Sequence, residues 1–494
     1  MTRRNSLGKD AVYLTLSKMV TLVIAMVASM LLSRFRTYEE YGTYSQLQLV
    51  ISLFTALFML GLPNSINYFL ARAGSAWERS EFLGTYYTVS TLLSMVMGLA
   101  LVVISPGIAA YFKNPSILAF AYFLLLYPWA NATTSGVENV LVVYHRTKLL
   151  TVYRIVNSAC LLGIVLLAEW LQLSFSQYMV LYVIISCVFA AYAYYVVHRI
   201  SGGIRISIRR DLVKQIFAFS LPIGLAAVVG TLNIEVDKLL IGWLMDTKQM
   251  AIYTNASKEL PVSLIASSIT AVLLPQLARM VKKERHEAAV ALWGHATVLS
   301  YICISLIATG VFTYAEDVMA FLYSAKYLPG LPIFRVYSLV LLLRTTYFGI
   351  ILNAMGRTKE TLYGSVLSLG LNVVLNPLFF HLFGMVGPAW GTLVSMLVMA
   401  IWQMYRTSRC TNVPMRRIFP WKQLGMITLV NLCFAMLFAW MKAALPLDLW
   451  MGSLAESVLL GIGWAGAYVC LLRKMIAQAW NGMNGGREED YELD

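Results

Sequence analysis

Fourteen apolar runs, each long enough to cross a bilayer as a helix, leave this chain little choice of fold. A helix needs about 20 mainly apolar residues to span the hydrocarbon core. Runs meeting that length lie at 11–33, 44–71, 84–105, 117–143, 149–170, 176–198, 213–245, 249–278, 289–313, 331–355, 360–383, 386–406, 421–441 and 451–472. Polar or Gly/Pro clusters punctuate them. Only 13% of the residues are charged, against about a quarter in soluble domains, so the chain cannot build a water-facing coat of the usual kind. The expected fold class is all-α integral membrane, with about fourteen transmembrane helices. The apolar run after MTRRNSLGKD exceeds a signal-peptide h-region and no small-residue cleavage motif closes it, so it reads as the first membrane helix.

The formal charge of +14 reads as topology rather than as a nucleic-acid footprint, because the Lys and Arg residues sit in short breaks between runs and do not alternate with aromatics. Alternate loops carry nearly all of them, among them Arg205, Arg209, Arg210 and Lys214, while the opposite loops hold only Arg34, Arg36, Lys113, Lys248, Lys326 and Lys442. The positive-inside rule then places both termini in the cytoplasm. Of the six cysteines, none forms a CxxC or metal-ligand spacing, so neither disulfides nor a metal site are expected.

The chain also looks duplicated. LLSRFRTYEEYGTYS from Leu31 resembles LIGWLMDTKQMAIYT from Leu240, a shift of 209 residues that superposes Tyr44 on Tyr253. Run 1 thus maps to run 7, and an even number of spans per repeat gives the repeats one orientation, a parallel pseudo-two-fold with a substrate site between halves. The expected organisation is a six-helix bundle over 1–200, a connector at 201–212 within the charged stretch SGGIRISIRRDLVK, a second six-helix bundle over 213–407, and two additional helices over 408–475. The tail 476–494, ending NGGREEDYELD, is expected to be cytoplasmic and disordered.

Ionisable groups inside a span cost about 2.5–3.5 kcal/mol each near the helix centre, so each needs a partner, a wet cavity or the surface. Arg154, Glu138 and Glu456 fall near run ends and read as structural. Arg344 lies about thirteen residues into its run, near the midplane; its planar donors suit a phosphate, and a salt bridge to a neighbouring carboxylate is the alternative. Lys18, with Asn64 and Asn67 at similar depth, would give the inner half of a cavity a cation and amides, unless Lys18 snorkels. Glu235 and Lys238, at i and i+3, share a face and neutralise each other. That would leave Asp237 to pair with Lys258 or bind a coupling cation, with Glu259 beside it. Pro63, Pro128, Pro222, Pro261 and Pro275 interrupt four runs, as bending helices require. No G-x-S-x-G, P-loop, HExxH or paired acidic motif is present, and the outer loops are too short for an active site, so no enzyme is expected.

LPIGLAAVVGTLNIEVDKLLIGWLMDTKQMAIYTNASKELPVSL, from Leu221 to Leu264, resembles the seventh and eighth helices of bacterial polysaccharide flippases in the multidrug, oligosaccharidyl-lipid and polysaccharide exporter superfamily. Pro222, Asp237 and the turn leading to Tyr253 carry the likeness, and LLSRFRTYEEYGTYSQLQLVISLF from Leu31 resembles their first outer loop and second helix. The resemblance implies two six-helix bundles around a cavity and, in the bacterial inner membrane, alternating-access flipping of a lipid-pyrophosphate-linked oligosaccharide to the outer leaflet. Lys18 and Arg344 would then meet the pyrophosphate. Membrane lipids and glycan-assembly proteins are the expected partners, and nucleic acid is not. No cofactor is called for; coupling to a Na+ or H+ gradient stays open. The peptidoglycan lipid-precursor flippases of the same superfamily are an alternative, although their arginine-rich first helix is not matched by one carrying only Lys18. A drug/cation antiporter would want more intramembrane acids than bases, and a glycan polymerase or ligase would want longer outer loops.

Overall fold

The computed structural model describes residues 2–204, 207–445 and 452–491, with side chains described from 13 to 483. The described residues form helices, turns and bends and contain no strand. Two compact units divide the chain, Met1–Ile252 and Tyr253–Asp494. Among the described residues, twelve stretches are long and apolar enough to cross a membrane, and a bent pair, Tyr38–Met59 with Leu62–Leu70, adds a thirteenth. One of the twelve, Thr358–Thr411, is itself two helices, Thr358–Phe383 and Gly387–Thr411, which brings the crossings to the fourteen expected.

The first unit contains α1 (Thr2–Phe35), α2 (Tyr38–Met59), α3 (Leu62–Ser65) running into a π-helical turn at Ile66–Leu70, α4 (Ala76–Tyr111), α5 (Ala121–Val143), α6 (Thr147–Trp170), α7 (Phe175–Ser201) and α8 (Arg210–Leu244). α1 packs along α6, α4 along α5, α5 along α7 and α2 along α8. A capping box starts α2: the Thr37 hydroxyl accepts from the Glu40 amide while the Glu40 carboxylate accepts from the Thr37 amide, so two orphan donors are satisfied at once. α2 stops at Leu60 and Gly61, both left-handed, with φ of 40° and 71°. Across this break α8 comes so close that a Cβ on Gly224 would sit 2.2 Å from the Leu60 carbonyl carbon, a contact only glycine permits. The boundary between the units therefore falls a helix later than the 201–212 connector, with α8 held in the first unit by α2. The connector is itself anchored: Arg209 pairs with Glu81 at 3.0 Å and the Ser80 hydroxyl donates to the Gly203 carbonyl. Arg205 and Ile206 of that connector lie outside the described residues.

The chain enters the second unit through α9 (Thr247–Ala256) and continues as α10 (Ser263–Lys282), α11 (His286–Thr313), α12 (Ala315–Tyr323), α13 (Leu331–Leu343), α14 (Ile350–Ala354), α15 (Thr358–Phe383), α16 (Gly387–Thr411), α17 (Met415–Ile418), α18 (Trp421–Ala444) and α19 (Ser453–Tyr491). α15 and α16 form a tight antiparallel hairpin: Gly391 lies against Asn376, Gly364 against Gln403, and Glu360 pairs with Arg406. Small residues let helix backbones meet where lipid supplies no hydrophobic drive. α19 runs on helically to Tyr491, where the sequence suggested disorder, and Glu492–Asp494 lie outside the described residues.

Helix boundaries bear the duplication throughout. α1 and α8 end 209 residues apart, at Phe35 and Leu244. Each unit then has a 3-10 turn leading into a helix, Pro115–Phe120 before α5 and Ala325–Gly330 before α13, so that the helices start 210 residues apart. The tripeptide Arg-Thr-Lys opens α6 at Arg146 and α15 at Arg357, each time after a left-handed residue, His145 or Gly356.

α18 and α19 dock on α11 through a buried knot. The Asn431 amide donates to Ser305 and Tyr468, and Tyr468 donates to the Ile302 carbonyl. A second tie lies at α12, where Asp317 accepts from Lys442, Ser453 and Ser457. Burial opposes the Asp317 charge, but these three donors outweigh it and hold the carboxyl below its ordinary 3.8. A depressed carboxylate stabilises the fold above its unfolded value and ceases to do so as pH falls through the folded one. Asp317→Asn should therefore destabilise the fold at neutral pH, by at most about 1.5–3 kcal/mol per charged hydrogen bond lost, and lower Tm. In thermal melts the gap to wild type should close as pH drops below about 3.8, and a gap that stays constant to acid pH would contradict this assignment.

Candidate functional site

Two spans of the second unit lose helical structure midway. Between α9 and α10 the chain leaves the helix over 257–262, where Pro261 has no amide proton to offer. The second break, 344–349, separates α13 from α14. Freed backbone groups inside a membrane protein need partners, and the second break has one such tie together with side-chain bonds that hold the stretch in place. The Thr345 hydroxyl donates back to Leu342, Thr346 accepts from Trp293 Nε1 at 2.8 Å and from Thr297, and the Tyr347 hydroxyl accepts from Asn353.

The breaks carry the charges. Arg344 caps α13, and Glu259 sits in the opposite break. Arg344 Nε donates to both Glu259 oxygens at 3.2 and 3.0 Å, and Nη2 donates to Oε1 at 2.7 Å. Both side chains are about one-third exposed. Such fork-on-carboxylate contacts are the strong form of an ion pair. Arg344 Nη1 makes no hydrogen bond among the described residues, so some of the guanidinium's donors are unspent. It faces a cavity of about 440 Å³ whose polar lining is Ser263, Ser267, Thr270, Thr346, Tyr347 and Gln403, with Phe348, Met396 and Met399 as the apolar side. Of the two readings Arg344 invited, the carboxylate bridge is present, and a cavity lies beside it.

The remaining sequence candidates fall elsewhere. Glu235 and Lys238 pair at 2.7 Å as their spacing predicts. Asp237 is 1% exposed and its Oδ1 accepts from the Lys238 amide at 2.8 Å. Lys258 is half-buried next to Glu259 in the first break. α1 begins at Thr2, well before the expected start, so Lys18 lies further along the helix than its sequence depth implied; it is exposed and forms no ion pair among the described residues. Asn64 is exposed on α3, and Asn67, in the π-helical turn, donates to Asn139 Oδ1 at 3.1 Å. Glu138 and Arg154 pair at 2.6 Å, as structural groups should. Sequence reasoning missed Gln403 and the 344–349 break: no proline or charge cluster marks the break, while a buried Gln in an apolar run was a signal that went unused.

The family described as polysaccharide biosynthesis protein matches residues 7–281. The chain belongs to that family. An uncharacterized membrane protein of Methanocaldococcus jannaschii is 22% identical over 405 residues, 79% of this chain and 95% of that one. Among solved structures, the lipid II flippase MurJ in an inward closed conformation matches with a TM-score of 0.75 and 15% identity, over 94% of this chain and 100% of that chain. An inward-facing multidrug resistance MATE family transporter of the MOP superfamily matches with a TM-score of 0.63 and 13% identity, over 80% of this chain and 96% of that chain. This family member is thus a multi-pass all-α membrane protein with the fold seen in MurJ and MATE proteins.

Removing one partner of the Arg344–Glu259 pair leaves an uncompensated charge in a partly buried site. Glu259→Ala and Arg344→Ala should each lower Tm in detergent, and the double variant should lose less than the sum of the two. A strictly additive cycle would show that the bridge contributes nothing to stability.

Proposed function

We propose that this chain flips a lipid-pyrophosphate-linked oligosaccharide from the cytoplasmic to the outer leaflet by alternating access. The observation that carries the reading is Arg344, a permanent cation held in the break of a membrane span, with unspent donors at a cavity large enough for a phosphate-bearing headgroup. Arg suits this task because its charge does not titrate away and its planar donors match phosphate oxygens. Membership of the polysaccharide biosynthesis family supports a glycan cargo, and discontinuous helices are where transporters bind substrates. The distribution of basic loops supports a cell membrane orientation with both termini in the cytoplasm. A Na+ or H+ gradient supplies the driving force on this reading, and glycan-assembly proteins deliver and collect the lipid.

A second cargo, the lipid-linked peptidoglycan precursor, is favoured by the MurJ likeness in fold. A drug/cation antiporter fits less well, since among the described residues no carboxylate lines this cavity and Glu259 nearby is already engaged by Arg344.

Purified protein in liposomes should speed transbilayer movement of an undecaprenyl-pyrophosphate-linked saccharide over protein-free vesicles. Arg344→Ala should cut the initial rate at least tenfold, Arg344→Lys less, and Lys18→Ala measurably. Movement of lipid II but not of the saccharide lipid would select the second cargo, and unaltered rates in the Arg344 and Lys18 variants would overturn the site.

A further inference from the structure

The first unit holds a cavity of the same size, about 440 Å³, and of different chemistry. It lies between α2, α5 and α8, beside the end of α2 at the Leu60–Gly61 break. No Lys or Arg lines it. Its polar groups are Ser52 and Thr55 from α2, Asn131 from α5, and Thr231 and Glu235 from α8. Most of their hydrogen-bonding capacity is unspent. The Thr55 hydroxyl is buried with no partner. Asn131 and Thr231 make no side-chain hydrogen bond among the described residues, and Ser52 donates to the Leu49 carbonyl, which leaves its lone pairs to accept. Glu235 gives Oε2 to Lys238, which neutralises the carboxylate and leaves Oε1 to accept. Between these groups lie Ala56, Met59, Ala227 and Ile234.

We propose that this cavity is a sugar subsite that takes an uncharged pyranose of the cargo. The proposal rests on the flippase reading above. A pyranose presents hydroxyls around its rim and C–H groups on its faces, which matches alternating hydroxyl, amide and carboxylate oxygens with small apolar side chains. The other ligand classes fit worse. An anion would meet a carboxylate and no lining cation. A prenyl chain would strand the unpaired hydroxyls and amide without hydrogen-bond partners. A bare cation would rattle in a space holding roughly fifteen waters at about 30 Å³ each, whereas the volume lies within the range of about 300–1,000 Å³ typical of small-molecule sites.

The test compares two probes on the full-length protein in detergent, undecaprenyl pyrophosphate and undecaprenyl-pyrophosphoryl-N-acetylglucosamine, with Kd measured by thermophoresis. The sugar-bearing lipid should bind at least tenfold tighter. Asn131→Leu and Thr231→Val, near-isosteric changes whose folding is checked by Tm, should bring the ratio of the two Kd values towards one. Arg344→Gln should weaken both lipids and preserve the ratio. Equal affinity of the two lipids for wild type, or a ratio that persists in both first-unit variants, would overturn the sugar subsite while the flippase reading stood on its Arg344 result. Binding of neither lipid, or indifference of both to Arg344→Gln, would overturn the flippase reading and the subsite with it.

Discussion

A bilayer offers no water to an exposed amide or carbonyl, so a chain inside it can leave the helix only where its own side chains take over the solvent's work. That constraint determines where this protein can have chemistry at all. At 344–349 the Thr345 hydroxyl donates to the Leu342 carbonyl, and Trp293 and Thr297 on α11 fix the stretch by holding the Thr346 hydroxyl. Arg344 and Glu259 are each other's counterion. Elsewhere the same rule explains the buried knot of Asn431, Ser305 and Tyr468, which docks α18 and α19 on α11 where hydrophobic contact alone gives no preference over lipid.

The duplication makes the functional divergence visible. With the shift of 211 residues given by the paired Arg-Thr-Lys motifs, the broken segment 344–349 corresponds to 133–138, which lie inside the unbroken α5. The break at 257–262 likewise corresponds to the middle of α2, which is continuous there, while the break of α2 at Leu60–Gly61 corresponds to an unbroken stretch of α10. Each unit thus has a cavity beside an interrupted helix, at positions the other unit keeps intact. In the second unit the interruption bears a cation. In the first the interruption is Leu60 and Gly61, and the cavity beside it is lined by hydroxyls of α2 and α8 and the amide of α5. Two copies of one scaffold thus line their cavities with different chemistry.

Sequence reading recovered the helical architecture because hydrophobic runs are one-dimensional signals. It recovered Glu235–Lys238 for the same reason, since a partner three residues away is fixed by helical geometry. Glu259 and Arg344 were each visible as costly charges, but their meeting depends on how α10, α11 and α13 assemble, which spacing does not encode. Breaks marked by Pro261 or Gly61 could be suspected; the one after Arg344 could not, because Thr345, Thr346 and Tyr347 are ordinary residues in a helix until tertiary partners claim them. The placement of α8 with the first unit was hidden too, since it follows from the missing Cβ at Gly224 rather than from any linker composition.

On the proposed reading, the bridge to Glu259 sets how tightly a phosphate can be held. An unpartnered guanidinium in a low-dielectric cavity would grip an anion strongly, and a carrier must also let go; favourable entry and ready exit require a shallow well. With Glu259 present, an arriving phosphate competes against an intramolecular carboxylate already seated with three hydrogen bonds. The net gain is then the difference between two charged contacts rather than the whole of one. The carboxylate that makes Arg344 look structural is therefore what lets it act on a passing ligand, because it returns to the guanidinium as the phosphate leaves and keeps the cation from ever standing unpaired.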